Sequence, residues 1–201
     1  MKVAVLISGR GSNLKAILDA EKTHLLGQAK VIIVVSNNSK AKGIEIAKSY
    51  GKKTISLEAN NFKTKEAYEK ELEGIIQNHG IDLIVLAGFM RILSPNFINK
   101  FKNKIINIHP SLLPSFPGLK AQKQALDFGA RISGCTVHFV NEQIDAGPII
   151  LQEAVDIAED DSEFSLSEKI LKEEHRLLPL SIKMISEDKV KIEHNKVRIV
   201  K

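Results

Sequence analysis

Short runs of β-branched and other apolar residues alternate with longer segments whose apolar residues recur at helical spacing. Five runs predict strands, at residues 2–7, 30–36, 53–57, 82–87 and 104–108. The segments between them predict helices, at residues 13–22, 40–50, 63–78 and 94–101. Such alternation is typical of βαβ units with right-handed crossovers. It predicts an α/β fold, with an open, mostly parallel twisted sheet, helices on both faces and a Rossmann-like N-terminal half.

The pattern changes after Pro110. Residues 134–140 and 148–155 predict longer strands joined by a turn-rich segment, so the sheet is expected to gain antiparallel strands. Residues 162–187 predict a long helix with Asp160, Asp161 and Ser162 as N-cap candidates. Pro179 falls inside this helix and predicts a break or kink. Residues 189–200 predict a small hairpin, and the absence of a linker or repeat predicts one domain over residues 1–201.

Composition limits the class of protein. A chain with 43% hydrophobic and 26% charged residues has the material for a full core, which excludes a disordered protein. The net charge of +5 suits an anionic partner, yet no long basic run or Trp indicates nucleic-acid binding. Cys135 is the only cysteine, so an intrachain disulfide and a thiolate metal cluster are excluded. With neither a membrane-spanning run nor a signal-peptide pattern, no membrane partner and a cytoplasmic location are expected.

The first candidate site is the sequence Ser-Gly-Arg-Gly-Ser-Asn at residues 8–13, between the first strand and the first helix. Glycines at such a turn let backbone amides face an anion, and the helix N-terminus adds about half a positive charge. Leu14 replaces the third glycine of a dinucleotide fingerprint, and no Gly-Lys-Ser/Thr follows as in a P-loop. The motif therefore suits a monophosphate, and the alternative is a tight turn capped by Ser12 or Asn13.

The second candidate site lies at the end of the fifth predicted strand. Asn107 and His109 are two residues apart, so their side chains share one face of that strand. In open α/β sheets, binding sites form beyond the carboxyl ends of the strands. An amide donor beside an imidazole suits acyl or formyl transfer, because one group stabilises an oxyanion and the other moves a proton. The alternative is a hydrogen-bonded histidine before a proline-rich loop.

The third candidate site combines His138, in a predicted strand, with Asp145, in a loop bounded by glycine and proline. A carboxylate near an imidazole stabilises the charged ring and fixes its tautomer. His109, His138 and Asp145 lack the helical spacing of known metal motifs, so no metal is expected. Cys135 lies mid-strand among apolar neighbours and is expected to be packed rather than reactive.

Five segments in the same order, at residues 8–13, 86–93, 107–114, 134–140 and 145–148, resemble the phosphoribosylglycinamide formyltransferase family. The resemblance covers roughly residues 2–190. It implies the formyltransferase fold, with residues 1–110 as the nucleotide- and phosphate-binding half and residues 111–201 as the folate-site half. It also implies formyl transfer from 10-formyltetrahydrofolate, as co-substrate, to the amine of glycinamide ribonucleotide in purine biosynthesis. Two small-molecule partners and a monomer or homodimer follow, with no nucleic acid and no metal.

The resemblance also implies roles for individual residues. Asn107, His109 and Asp145 form its catalytic set, with His138 in support. The ribonucleotide site comprises Gly11, Ser12 and Asn13 around the phosphate, and Glu174 at the glycinamide end. The folate site comprises Lys65, Met90, Arg91, Ile92, Leu93, Asn107, Asn141, Glu142, Gln143, Ile144 and Asp145. A cis Leu113–Pro114 bond is also implied.

Two positions depart from the family pattern, and both lie in the expected pockets. Lys65 stands where Arg is expected near the folate, so the charge is kept and a bidentate grip on a carboxylate is lost. Lys120 stands where bacterial members often carry His.

Several other functions compete with this interpretation. Methionyl-tRNA formyltransferase is opposed by the length of the chain, and a nicotinamide-dependent oxidoreductase by Leu14. Formyltetrahydrofolate deformylase usually carries an additional N-terminal domain, whereas this sequence starts on the first strand. The deformylase and a non-catalytic nucleotide-binding module remain as the alternatives.

Overall fold

The computed structural model describes residues 1–200 and is built around a seven-stranded sheet in the order β3-β2-β1-β4-β5-β6-β7. The strands are β1 (Lys2–Ile7), β2 (Lys30–Ser36), β3 (Lys53–Ser56), β4 (Leu83–Leu86), β5 (Ile105–His109), β6 (Ile132–Phe139) and β7 (Ile149–Asp156). Strands β1 to β5 pair in parallel, and β6 pairs antiparallel with both β5 and β7. The predicted α/β fold with antiparallel strands in the C-terminal part is therefore confirmed.

The helices that cover this sheet are α1 (Ser12–Lys22), α2 (Lys42–Ser49), α3 (Lys65–Asn78), α4 (Pro95–Lys100), α5 (Ala121–Phe128) and α6 (Glu163–Ser186). Five of them lie where the sequence predicts helices. Helix α5 was not predicted, because its buried residues are two alanines, Ala121 and Ala125, which give no strong apolar pattern. Its eight residues end at Phe128, with Gly129 as the C-cap.

Helix α6 begins at a capping box and continues through its proline. The Ser162 hydroxyl accepts a hydrogen bond from the Ser165 amide, and the Ser165 hydroxyl accepts one from the Ser162 amide. Ser162 is thus the N-cap among the three candidates. The helix does not break at Pro179, because that residue and the preceding Leu177 and Leu178 are buried and packing holds the turn together.

The sheet separates two apolar layers. On β1, Val3, Val5 and Ile7 pack with α1, α2, α5 and α6, whereas Ala4 and Leu6 pack with α3 and α4. Because alternate residues of a strand point to opposite faces, an almost wholly apolar strand fills both layers. Because β1, β4 and β5 are parallel neighbours, their carboxyl ends lie side by side at one edge of the sheet.

The chain ends in a small hairpin, and its single cysteine lies in the core. Strands β8 (Val190–Glu193) and β9 (Lys196–Ile199) form the predicted terminal hairpin. Cys135 lies on β6 with none of its surface exposed, and burial raises the pKa of its thiol to about 12. Within residues 1–200, no helix is long and apolar enough to cross a bilayer.

Candidate active site

The antiparallel pairing of β5 with β6 brings two predicted site residues together. The register places Asn107 opposite His138, and the Asn107 Nδ2 lies 3.3 Å from the His138 Nε2. The His138 Nδ1 lies 2.9 Å from the Phe139 carbonyl oxygen and donates to it, which leaves Nε2 as the acceptor for Asn107. Burial lowers the pKa of His138, so the ring is neutral and holds the Asn107 amide in one orientation.

Asp145 reaches the same place from the loop between β6 and β7. Its Oδ2 lies 3.3 Å from the His109 Nδ1 and accepts a hydrogen bond of 2.8 Å from the Gly118 amide. Its Oδ1 lies 3.7 Å from the His138 Nε2. The structure therefore brings together the four residues to which the resemblance gives catalytic or supporting roles.

His109 is 4% exposed, and both of its ring nitrogens face oxygen atoms. The Nε2 lies 2.9 Å from the Phe116 carbonyl oxygen, and the Nδ1 faces Asp145. A ring between two acceptors can donate to both only when each nitrogen carries a proton. The arrangement can therefore place a positive charge and a transferable proton beside the Asn107 amide.

The loop that follows β5 is braced by the neighbouring strands. The Thr136 hydroxyl donates to the Ser111 carbonyl at 2.7 Å and accepts from the Leu113 amide at 3.1 Å. The Gln152 side chain donates to the Leu113 carbonyl at 2.9 Å. The Leu113–Pro114 bond is cis, as the resemblance implies. Sequence reasoning missed Phe116 and Gly118, which act through backbone atoms and leave no side-chain signal.

The turn before α1 has the geometry of an anion site. Gly11 is the N-cap with φ of 78°, and no side chain caps the first turn within the described chain. The alternative of a turn capped by Ser12 or Asn13 is therefore wrong. A Cβ at Gly11 would lie 2.5 Å from the Gly43 Cα, so the turn needs glycine to pack against α2. The Asn13 side chain instead donates to the Glu174 carboxylate at 2.8 Å.

The segment after β4 presents two exposed apolar side chains. Met90 is 70% exposed and Ile92 is 68% exposed, whereas Leu93 is buried in the core. The Met90 amide donates to the Ser8 hydroxyl at 2.8 Å, which ties this segment to the turn before α1. Ser8 belongs to the predicted motif, but its contact with Met90 was not predicted.

Two cations lie near this segment. The Arg91 guanidinium carbon is 4.9 Å from the centre of the Tyr68 ring. The Lys65 Nζ is 4.0 Å from the Glu69 carboxylate, at the start of α3.

Lys120 is the N-cap of α5 with φ of 59°.

The turn at residues 141–146 is held mainly by its own polar groups. The Asn141 side chain accepts from the Gln143 amide at 3.1 Å and donates to the Ala146 carbonyl at 3.2 Å. Glu142 accepts from Asn99 at 2.7 Å, and Ile144 remains exposed. This ordered turn presents Asp145 to His109.

Gly147 is the residue of this loop most sensitive to substitution. A Cβ there would lie 1.8 Å from the Phe139 carbonyl oxygen, so we expect Gly147→Ala to displace the Asp145 loop and lower the free energy of unfolding by about 1–3 kcal/mol. Gly74→Ala is the matched control, because its Cβ would meet nothing within 4 Å. Placed inside helix α3, it should stabilise the protein by about 0.5–1 kcal/mol. Denaturant unfolding measures both, and equal stability of the two variants would refute the expectation.

His138 provides a second prediction in this region. His138→Leu removes the acceptor that orients Asn107, and one neutral hydrogen bond is worth about 0.5–1.5 kcal/mol. We therefore expect kcat to fall about twofold to twelvefold while the fold survives. The exposed His24, changed to Gln, should leave kcat at the wild-type value. A His138→Leu enzyme with wild-type kcat would show that Asn107 is oriented without it.

Comparison with known proteins identifies close relatives. A family model described as formyl transferase matches residues 1–182. The chain is 44% identical over 195 residues to the phosphoribosylglycinamide formyltransferase of Escherichia coli, covering 97% of this chain and 92% of that protein. It is 46% identical over 185 residues to the trifunctional purine biosynthetic protein adenosine-3 of Drosophila melanogaster, covering 92% of this chain and only 14% of that protein.

Solved structures show the same architecture. Glycinamide ribonucleotide transformylase 1 from Symbiobacterium toebii superposes with a TM-score of 0.97 at 42% identity, over 100% of this chain and 94% of that chain. A formyltetrahydrofolate deformylase from Pseudomonas syringae superposes with a TM-score of 0.92 at 28% identity, over 100% of this chain and 66% of that one. Likeness of fold alone thus does not separate a transferase from a deformylase.

Proposed function

Because the chain belongs to the formyl transferase family, we propose that it transfers the formyl group of 10-formyltetrahydrofolate to the amine of glycinamide ribonucleotide. The observation that carries this proposal is the contact of Asn107, His109, His138 and Asp145 at the carboxyl end of β5. An amide donor and a charged imidazole beside it are what a tetrahedral oxyanion requires.

In the proposed reaction, the substrate amine attacks the formyl carbon, and the carbonyl electron pair moves to oxygen. The Asn107 amide has two N–H groups, of which one faces His138 and the other can donate to the oxyanion. His109 adds a positive charge nearby. Its Nε2 proton reaches the substrate when the hydrogen bond to the Phe116 carbonyl is exchanged for one to the oxyanion.

Collapse of the intermediate breaks the bond from the formyl carbon to N10 of the folate. The proton lost by the attacking amine must reach N10, so that formylated ribonucleotide and tetrahydrofolate leave as neutral amide and amine. Asp145 places a carboxylate 3.3 Å from the His109 Nδ1 and, with water, provides a path for this proton. The proposed reaction needs no covalent bond between a substrate and the protein.

The ribonucleotide is placed by the turn before α1. Its phosphate is proposed to bind the backbone amides of Gly11, Ser12 and Asn13, at the positive end of an 11-residue helix. Glu174 is proposed to receive the glycinamide end. Burial raises the pKa of Glu174, and its one direct protein partner among the described hydrogen bonds is the Asn13 side chain.

The folate is proposed to bind between the segment after β4 and the turn at residues 141–144. Exposed Met90, Ile92 and Ile144 offer apolar surface to a flat ring. Arg91 and Lys65 supply positive charge for folate carboxylates. The Lys65 ammonium group offers a folate carboxylate one positive charge, whereas an arginine would offer two parallel hydrogen bonds.

An assay with purified protein, 10-formyltetrahydrofolate and glycinamide ribonucleotide tests the proposal. We expect tetrahydrofolate to appear only when both substrates are present. Release of tetrahydrofolate without the ribonucleotide would favour the deformylase. Ribonucleotide binding with no turnover under any condition would favour a non-catalytic nucleotide-binding module.

A further inference from the structure

The start of α1 and the middle of α6 meet through one buried polar contact. The Asn13 Nδ2 donates to the Glu174 Oε2 at 2.8 Å, across 161 residues of sequence. Asn13 is 8% exposed and Glu174 is 7% exposed. A contact between two polar groups removed from water is strong, because neither side chain has bulk solvent as an alternative partner.

The Asn13 amide orients the Glu174 carboxyl group but supplies no opposite charge. No cation pairs with Glu174 among the ion pairs of residues 1–200, and Asn13 is neutral. The Asn13 Oδ1 is buried and has no hydrogen-bond partner, so the contact with Glu174 alone fixes the orientation of this amide. The result is a carboxyl group held in one position, whose Oε1 has no hydrogen-bond partner within residues 1–200.

We propose that Asn13 is a positioning residue, whose side chain holds Glu174 in the orientation that receives the glycinamide end of the ribonucleotide. The backbone of Asn13 belongs to the turn proposed to bind the phosphate. One residue therefore sets the separation between the two ends of the substrate site. This inference rests on the proposed function and adds a role for the Asn13 side chain.

A double-mutant cycle tests the positioning role. Asn13→Ala should raise the KM for glycinamide ribonucleotide about tenfold to a hundredfold, with kcat and the KM for the folate within about twofold of wild type. Because Asn13 acts through Glu174, Asn13→Ala should have no further effect in a Glu174→Ala background. Asn78→Ala, at the exposed end of α3, is the control and should leave both KM values unchanged.

The pH dependence provides a readout that a change in folding alone would not move. The Asn13 hydrogen bond lowers the pKa of Glu174, opposing the effect of burial. Without it the carboxyl protonates at higher pH, so the acid limb of kcat/KM for the ribonucleotide should move to higher pH. The charge of Arg10 also lowers the pKa of Glu174. Glu174 in turn contributes to the raised pKa of the Cys135 thiol on β6. Both remain in the variant.

Asn13→Asp is the second variant, because it keeps the shape of Asn13 and places a second carboxylate beside Glu174. The acid limb should move further than in Asn13→Ala. Additive effects in the cycle, or an unmoved acid limb in both variants, would overturn the positioning role while wild-type turnover stands. Absence of wild-type turnover would instead overturn the proposed function, and would leave the shift of Glu174 measurable by NMR.

Discussion

Asn107→Ala is expected to lower kcat by about 10²–10³, or about 2.7–4 kcal/mol in the barrier, while the KM values change little. Asn107 lies on β5, two residues before its end, and its Nδ2 contacts the neutral His138 ring. The oxyanion exists only after the amine attacks, so a donor to it acts on the transition state. Steady-state kinetics with both substrates measures this pattern.

The control for this variant is Asn96→Ala, which removes an exposed amide from α4. It should retain wild-type kcat. Thermal denaturation should give similar midpoints for both variants, since Asn107 makes one side-chain hydrogen bond in the described structure. An Asn107→Ala enzyme that keeps most of its kcat would reduce Asn107 to a structural residue.

Asp145→Asn is expected to lower kcat by about 10²–10⁴, the range of a lost contribution to proton transfer. The new side chain keeps the shape and can still accept from the Gly118 amide at the position of Oδ2. What it loses is the negative charge 3.3 Å from the His109 Nδ1. Without that anion, the positive charge that proton transfer places on the His109 ring is less stabilised, so the loss should appear in kcat.

Asp127→Asn supplies the matched control for this change. Asp127 is an exposed carboxylate on α5 that pairs with Lys123 four residues away, and such pairs contribute little. Its kcat and pH–rate profile should equal those of the wild type. An Asp145→Asn enzyme with near-normal kcat would assign the proton path to other groups.

The sequence predicts the placement of Asn107 and His109 well, because strand periodicity is local and β5 is strongly apolar. The sheet class follows from the same local patterns. The terminal hairpin and the start of α6 at Ser162 also follow, since turn and cap residues act within a few positions.

Contacts between distant segments could not be derived in this way. Asp145 reaches His109 only because β6 pairs antiparallel with β5, and the Phe116 carbonyl contacts His109 through a backbone atom. The pairing of Asn13 with Glu174 joins α1 to α6, and nothing in either segment encodes the other. Packing also outweighs the helix-breaking tendency of Pro179 in α6. Helix α5 could not be predicted from the sequence, because its buried residues are small alanines.

The rate at which Cys135 is chemically modified can report how often the core opens. Only the thiolate reacts with alkylating reagents, and in the folded protein this thiol is both sealed within β6 and held protonated. Modification must therefore wait for the central sheet to open, and the labelling half-life reports how rarely that happens. A ligand that spans α1 and α6 should lengthen that half-life without touching the sulfur, since it stabilises only the closed form.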